Sequence, residues 1–167
     1  MRRFALLIIA VTLLTSSIAQ AASYQMVTGT IVDPIQHLFG YPHTYSGNNL
    51  EPSANLSNAD LYGAALSDAN LTDANLTNTT LFQATLYDTV LTNANLTGAG
   101  LTGATLTGVT SGGIIGSPGV LPTNWQLTSR YLIGPGASLL GAALTSANLA
   151  GGPLWQWTTA AARQESQ

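Results

Sequence analysis

Leucine occupies every fifth position from Leu56 to Leu106 without interruption. Alanine precedes most of these leucines by two residues, at Ala54, Ala59, Ala64, Ala69, Ala74, Ala84, Ala94, Ala99 and Ala104. The other three positions of each unit are mostly Asn, Asp, Ser, Thr and Gly, with a few aromatic residues. A period of five fits neither the 3.6-residue turn of a helix nor the two-residue alternation of a strand. It marks a repeat architecture. One large and one small inward side chain per unit fill a narrow interior, and short polar side chains that bond nearby backbone suit the corners between units. Each pentapeptide therefore reads as a short extended step followed by a corner, which predicts an all-β solenoid.

Three units, Ala54-Asn55-Leu56-Ser57-Asn58, Ala59-Asp60-Leu61-Tyr62-Gly63 and Ala69-Asn70-Leu71-Thr72-Asp73, resemble the A-[D/N]-L-x-x units of the pentapeptide-repeat protein family. The resemblance runs continuously over residues 54–108 and returns from Ala137 to Leu154. It implies a right-handed quadrilateral parallel β-helix with four pentapeptides per coil, here about four coils, with a hairpin-like insertion before the last. Thr79, Thr89 and Val109 stand where the pattern asks for Ala, and all three are small enough for the interior. Four units per coil give a vertical period of twenty residues, with neighbouring coils about 4.8 Å apart. Outward residues then stack as Asn55, Asn75 and Asn95; as Tyr62, Phe82 and Thr102; as Asp68 and Asp88; as Thr72 and Thr92; and as Asp73 and Asn93.

The rest of the chain divides around this repeat. Residues 1–21 read as a signal peptide: Arg2-Arg3, the apolar run Phe4 to Leu14, and the small-x-small site Ala19-Gln20-Ala21. Residues 22–53 form an N-terminal lead-in or cap, with a strand expected from Met26 to Ile35. Residues 54–109 are the repeat, 110–136 an inserted loop or hairpin, 137–157 a final coil and 158–167 a tail. Within the insertion, Trp125-Gln126-Leu127 and Tyr131-Leu132-Ile133 flank Thr128-Ser129-Arg130 as hairpin arms, although the turn lacks Asn-Gly. Trp155 and Trp157 are expected to close the stack.

Charge narrows the partners. The chain has no lysine, and beyond residue 21 only Arg130 and Arg163 stand against seven carboxylates. That leaves neither a basic footprint for nucleic acid nor one for anionic membrane. The absence of cysteine excludes disulfides, thiolate metal sites and lipid-modified cysteine. An exported chain of this kind is expected at an extracellular, periplasmic or cell-surface location, free of membrane once the signal is removed.

Candidate chemistry is sparse, and no catalytic motif, cofactor site or metal site is expected. His37 and His43, the two histidines, read as solvated loop side chains. The stack of Asp68 on Asp88, with Asp73 one corner away, offers carboxylates to calcium, but Asp at the last position of a unit reads better as a corner residue bonding backbone. The Asn-x-Ser/Thr sequences at Asn55, Asn70, Asn75, Asn78 and Asn95 are generated by the repeat itself. The candidate partner-binding residues are Tyr62 and Phe82 on one wall and Tyr87 on the next. Such aromatics either pave a solenoid wall or bind a sugar ring or a partner.

These readings favour an exported non-catalytic solenoid, structural or adhesive, with an unidentified protein or a glycan surface as its partner. The alternative is carbohydrate or surface binding through the aromatic wall or through threonine ranks such as Thr77 with Thr97. Gyrase protection by DNA mimicry, found among cytoplasmic proteins of similar fold, conflicts with the export signal and the scattered acids. Polysaccharide lyase activity needs a base and cations on one face, and the repeat holds no Lys or Arg. An uncapped coil end is a candidate surface for homodimerisation.

Overall fold

The computed structural model describes residues 22–142 and residue 144. The expected signal peptide, Trp155 and Trp157, the tail and most of the expected final coil lie outside the described residues. Within them the chain is all-β, with no helix.

Each repeat leucine from Leu56 to Leu106 is buried, and the alanines two before them line the same interior. Parallel bridges join residues twenty apart: Asn55 to Asn75 to Asn95, Asp60 to Thr80 to Gly100, Ala65 to Thr85 to Thr105, and Asn70 to Val90 to Thr110. On one wall the Leu56 amide donates to the Asn75 carbonyl at 2.8 Å, and the Asn75 amide donates back to the Ala54 carbonyl at 2.8 Å. The same pair of bonds recurs on each wall, so backbone polar groups are satisfied without long strands. Thr79 and Thr89 fit the alanine position because their hydroxyls donate to the Leu56 and Leu66 carbonyls at 2.7 and 2.8 Å, which removes the cost of burying them.

The corner is a four-residue turn. The Ala59 amide donates to the Leu56 carbonyl at 3.0 Å, and Asn58 between them has φ 61°. A positive φ at the third residue of the turn is the type II signature and favours Gly or Asn. The second coil places Asn78, Gln83, Asp88 and Asn93 at its corners, and the third places Gly98, Gly103, Gly108 and Gly113 directly below them. The side-chain oxygens of Asn78, Asp88 and Asn93 lie where a Cβ on Gly98, Gly108 or Gly113 would be. Asp68 and Asp88 are such corners and bond the backbone through their amides, to the Tyr87 and Thr107 carbonyls. The Asn and Asp side chains that bond repeat backbone amides instead belong to residues that directly precede a leucine. Oδ1 of Asn55, Asp60, Asn70, Asn75 and Asn95 each accepts the amide two residues on.

Two regions depart from the sequence reading. The strand expected from Met26 to Ile35 is a hairpin: β1 (Tyr24–Gln25) pairs antiparallel with β2 (Ile31–Val32). Gly29, at φ 85°, reverses the chain, and its amide donates to the Met26 carbonyl at 2.9 Å. Alternation in side-chain polarity was therefore overridden by one glycine. After a cis Asp33-Pro34 bond, β3 (Gln36–His37) pairs antiparallel with β4 (Ala64–Ala65) of the first coil. The second departure concerns residues 110–136, expected as one insertion. Ile115 and Val120 still bridge Asn95 and Gly100, so the register outlasts the leucine count. Only then does the chain leave, in the hairpin of β5 (Gln126–Thr128) and β6 (Tyr131–Ile133), before Ser138 rejoins Thr110. The turn works without Asn-Gly because Ser129 and Arg130 both adopt positive φ, and the Arg130 guanidinium donates to the Gly113 and Ile114 carbonyls.

Replacement of Gly108 by Ala is expected to destabilise the fold more than replacement of Gly103, measured by urea unfolding. Both carry positive φ, which alone costs on the order of 1 kcal/mol. Only at Gly108 does the new Cβ meet a carboxylate, that of Asp88, whereas at Gly103 it meets the Gln83 Cγ at 3.4 Å. The excess is expected to vanish in an Asp88→Ala background, as a double-mutant cycle reads it.

Candidate functional site

Residues 36–43 form a tight hairpin above the first coil. The Gly40 amide donates to the His37 carbonyl at 2.7 Å, the His37 amide to the Tyr41 carbonyl at 2.8 Å, and Gln36 lies opposite Pro42. This sets His37 and Tyr41 across from each other, and their rings stack at 4.6 Å with an interplanar angle of 9°. Phe39 covers His37 at 5.1 Å, and His43 lies 6.0 Å from it, nearly parallel. The hairpin is fastened to the coil by the Leu38 amide, which donates to the Gly63 carbonyl at 2.8 Å. Gly63 is required there, because a Cβ would run into the His37 imidazole.

The twenty-residue register carries this cluster down one wall. Tyr62 lies 6.1 Å from His37 and stacks on Phe82 at 5.6 Å with an interplanar angle of 11°. The Tyr62 hydroxyl donates to Gln83 Oε1 at 2.8 Å. The result is one row of rings: Phe39, Tyr41, His37, His43, Tyr62 and Phe82. Phe39 is 75 % exposed, Tyr62 44 % and Phe82 38 %. Phe39, at the end of the row, keeps an open face.

Of the candidate residues, Tyr62 and Phe82 are thus brought together. Tyr87 is 47 % exposed but takes no part in the ring contacts of the row. The histidines were misread as solvated: His37 is 7 % exposed and His43 5 %. The missed signal is the two-residue spacing of ring-bearing residues at His37, Phe39, Tyr41, His43 and Tyr45. Tyr24 and Tyr45 help to seat the lead-in. Burial raises the pKa of both phenols, and the Asp68 carboxylate adds to the effect at Tyr24.

Asp68, Asp73 and Asp88 remain corner residues, and among the described residues no three His, Cys, Asp or Glu side chains are grouped to hold a metal ion. The Asn oxygens at 55, 75 and 95 accept hydroxyl protons from Ser57, Thr77 and Thr97, and the Asn75 amide nitrogen donates to Asn55 Oδ1 at 3.0 Å. That wall is internally satisfied.

Comparison with family models agrees with the repeat. Residues 53–86 and 74–110 match the family model described as pentapeptide repeats, in eight copies. A solved pentapeptide repeat protein (Rfr23) from the cyanobacterium Cyanothece 51142 is 30 % identical over 44 % of this chain, with a TM-score of 0.21. The match spans about half of that protein's chain, 55 %. No curated protein matches significantly. The repeat is the right-handed β-helix implied by the resemblance.

Replacement of Gly63 by Ala is expected to loosen the hairpin without melting the coil. Hydrogen exchange at the Leu38 amide should accelerate, while exchange at the Leu81 amide, held by the Gly100 carbonyl, should not change.

Proposed function

Because residues 53–110 are pentapeptide repeats, we propose that the chain serves as an exported, non-catalytic binding module. A polar rod presents one aromatic row to a partner. The observation that carries this reading is the row itself. A solenoid wall otherwise built of Asn, Asp, Thr and Gly bears contiguous half-exposed rings, extended by the lead-in hairpin. Exposed apolar surface of this kind is costly to maintain in water unless covered in use.

Half-exposed rings set among Asn, Asp and Thr favour a protein partner, whose apolar side chains can lie against them. A glycan surface is the second reading, favoured by the open face of Phe39, which offers a sugar ring its apolar side. Export is supported by the Arg2-Arg3 start, the apolar run and the Ala19-Gln20-Ala21 site. The non-catalytic reading is supported by His43, both of whose ring nitrogens bond backbone groups, and by His37, whose Nδ1 accepts the Phe39 amide.

The test compares the protein with its Tyr62→Ala/Phe82→Ala variant on a glycan array and in pull-downs from the extracytoplasmic fraction. Loss of a specific ligand by the variant is expected. Retention of every ligand by the variant overturns the reading. No turnover is expected on polysaccharides or esters, and hydrolysis that disappears in Asp88→Ala would show the protein to be an enzyme instead.

A further inference from the structure

His43 has both ring nitrogens committed. Its Nδ1 accepts the Tyr45 amide at 3.0 Å, so its Nε2 carries the proton and donates to the Tyr62 carbonyl at 2.9 Å. The ring is nine-tenths buried and holds the lead-in to the first coil at the middle of the aromatic row. His37 makes a looser version of the same contact, its Nδ1 facing the Phe39 amide at 3.3 Å. We infer that His43 is an acid-sensitive latch: the hairpin of residues 36–45 stays docked while the imidazole is neutral and is released when it is protonated.

A proton added at Nδ1 points at the Tyr45 N–H, which replaces a hydrogen bond with two opposed donors and buries a charge. Stacking alone would tolerate a cation, but the amide facing Nδ1 does not. Phenol rings and backbone groups surround the two imidazoles. Tyr41 and Tyr45 come from the lead-in, Tyr62 and the Gly63 backbone from the coil, and the two imidazoles face each other at 6.0 Å. The nearest carboxylates along the chain are Asp33 and Glu51 in the lead-in and Asp60 on the coil. Oδ1 of Asp60 is taken by the Tyr62 amide. A released lead-in leaves the His43 ring free to hold a proton in water, which the docked geometry opposes, so docking weakens as acid is added.

The repeat supplies the control. Asn at positions 55, 70, 75 and 95 accepts the amide two residues on, as the imidazole does at 43, and Asn does not titrate. The experiment is amide hydrogen exchange on the full chain at pH 7.5 and 5.0, corrected for intrinsic rates. In the parent protein, protection at Leu38 and Tyr45 is expected to fall about tenfold or more at pH 5.0, with Leu81 unchanged. In His43→Asn that pH dependence is expected to disappear. Unchanged protection in the parent protein, or an equal fall in the variant, overturns the proposal. If His43→Asn fails to dock at all, the His43 Hε1 resonance of the parent protein decides: titration together with loss of Leu38 protection supports the latch, and titration without it refutes the latch. The readout needs no ligand, so it stands or falls separately from the binding reading.

Discussion

The left-handed corner is the constraint on which the rest depends. Every fifth residue must adopt positive φ, and that reversal is what folds an extended chain into a four-sided coil. Between corners only four residues remain. One is the buried leucine, and one bridges to the coils above and below. There is no room for a strand of ordinary length, so stability comes from many short bridges stacked in register rather than from long ladders. The interior is correspondingly uniform, a single column of leucine flanked by alanine, Thr79, Thr89 and Val109.

This geometry turns sequence distance into surface adjacency. Two residues twenty apart are neighbours whatever their chemistry, which is why Tyr62 and Phe82 meet and Tyr87 does not join them. The lead-in then extends the row by a different route. A glycine-turned hairpin stacks His37 on Tyr41, and the seat at Gly63 aligns that stack with the Tyr62 column. Fold and surface are thus set by two independent local devices, the pentapeptide corner and the hairpin of residues 36–43.

The repeat was legible because its period is unbroken and matches nothing else a chain can do locally. Even the vertical neighbours followed from counting. The lead-in was not legible to the same degree. Val27, Gly29 and Ile31 alternate as a strand would, yet the glycine reverses the chain. His37 and His43 looked like loop histidines because nothing local reveals that a coil carbonyl awaits one of them. The persistence of register at Ile115 and Val120 was hidden for a related reason: bridging is a backbone property and survives where the leucine signal stops. Only Tyr62 and Phe82, the part of the aromatic row that lies within the repeat, were therefore readable.

The corner columns give the stack a sense of order that its repetitive sequence conceals. The second coil's Asn and Asp side chains occupy space left empty only because the third coil has glycine at all four corners. The two coils are consequently not interchangeable parts. A tandem duplication of the second would stack side chain on side chain at every corner, as Asp68 with Asp88 and Asp73 with Asn93 already do, while a duplication of the third would leave glycine under glycine with nothing to cover it. Lengthening such a rod by copying one coil thus changes how its corners are covered rather than whether the coils can stack.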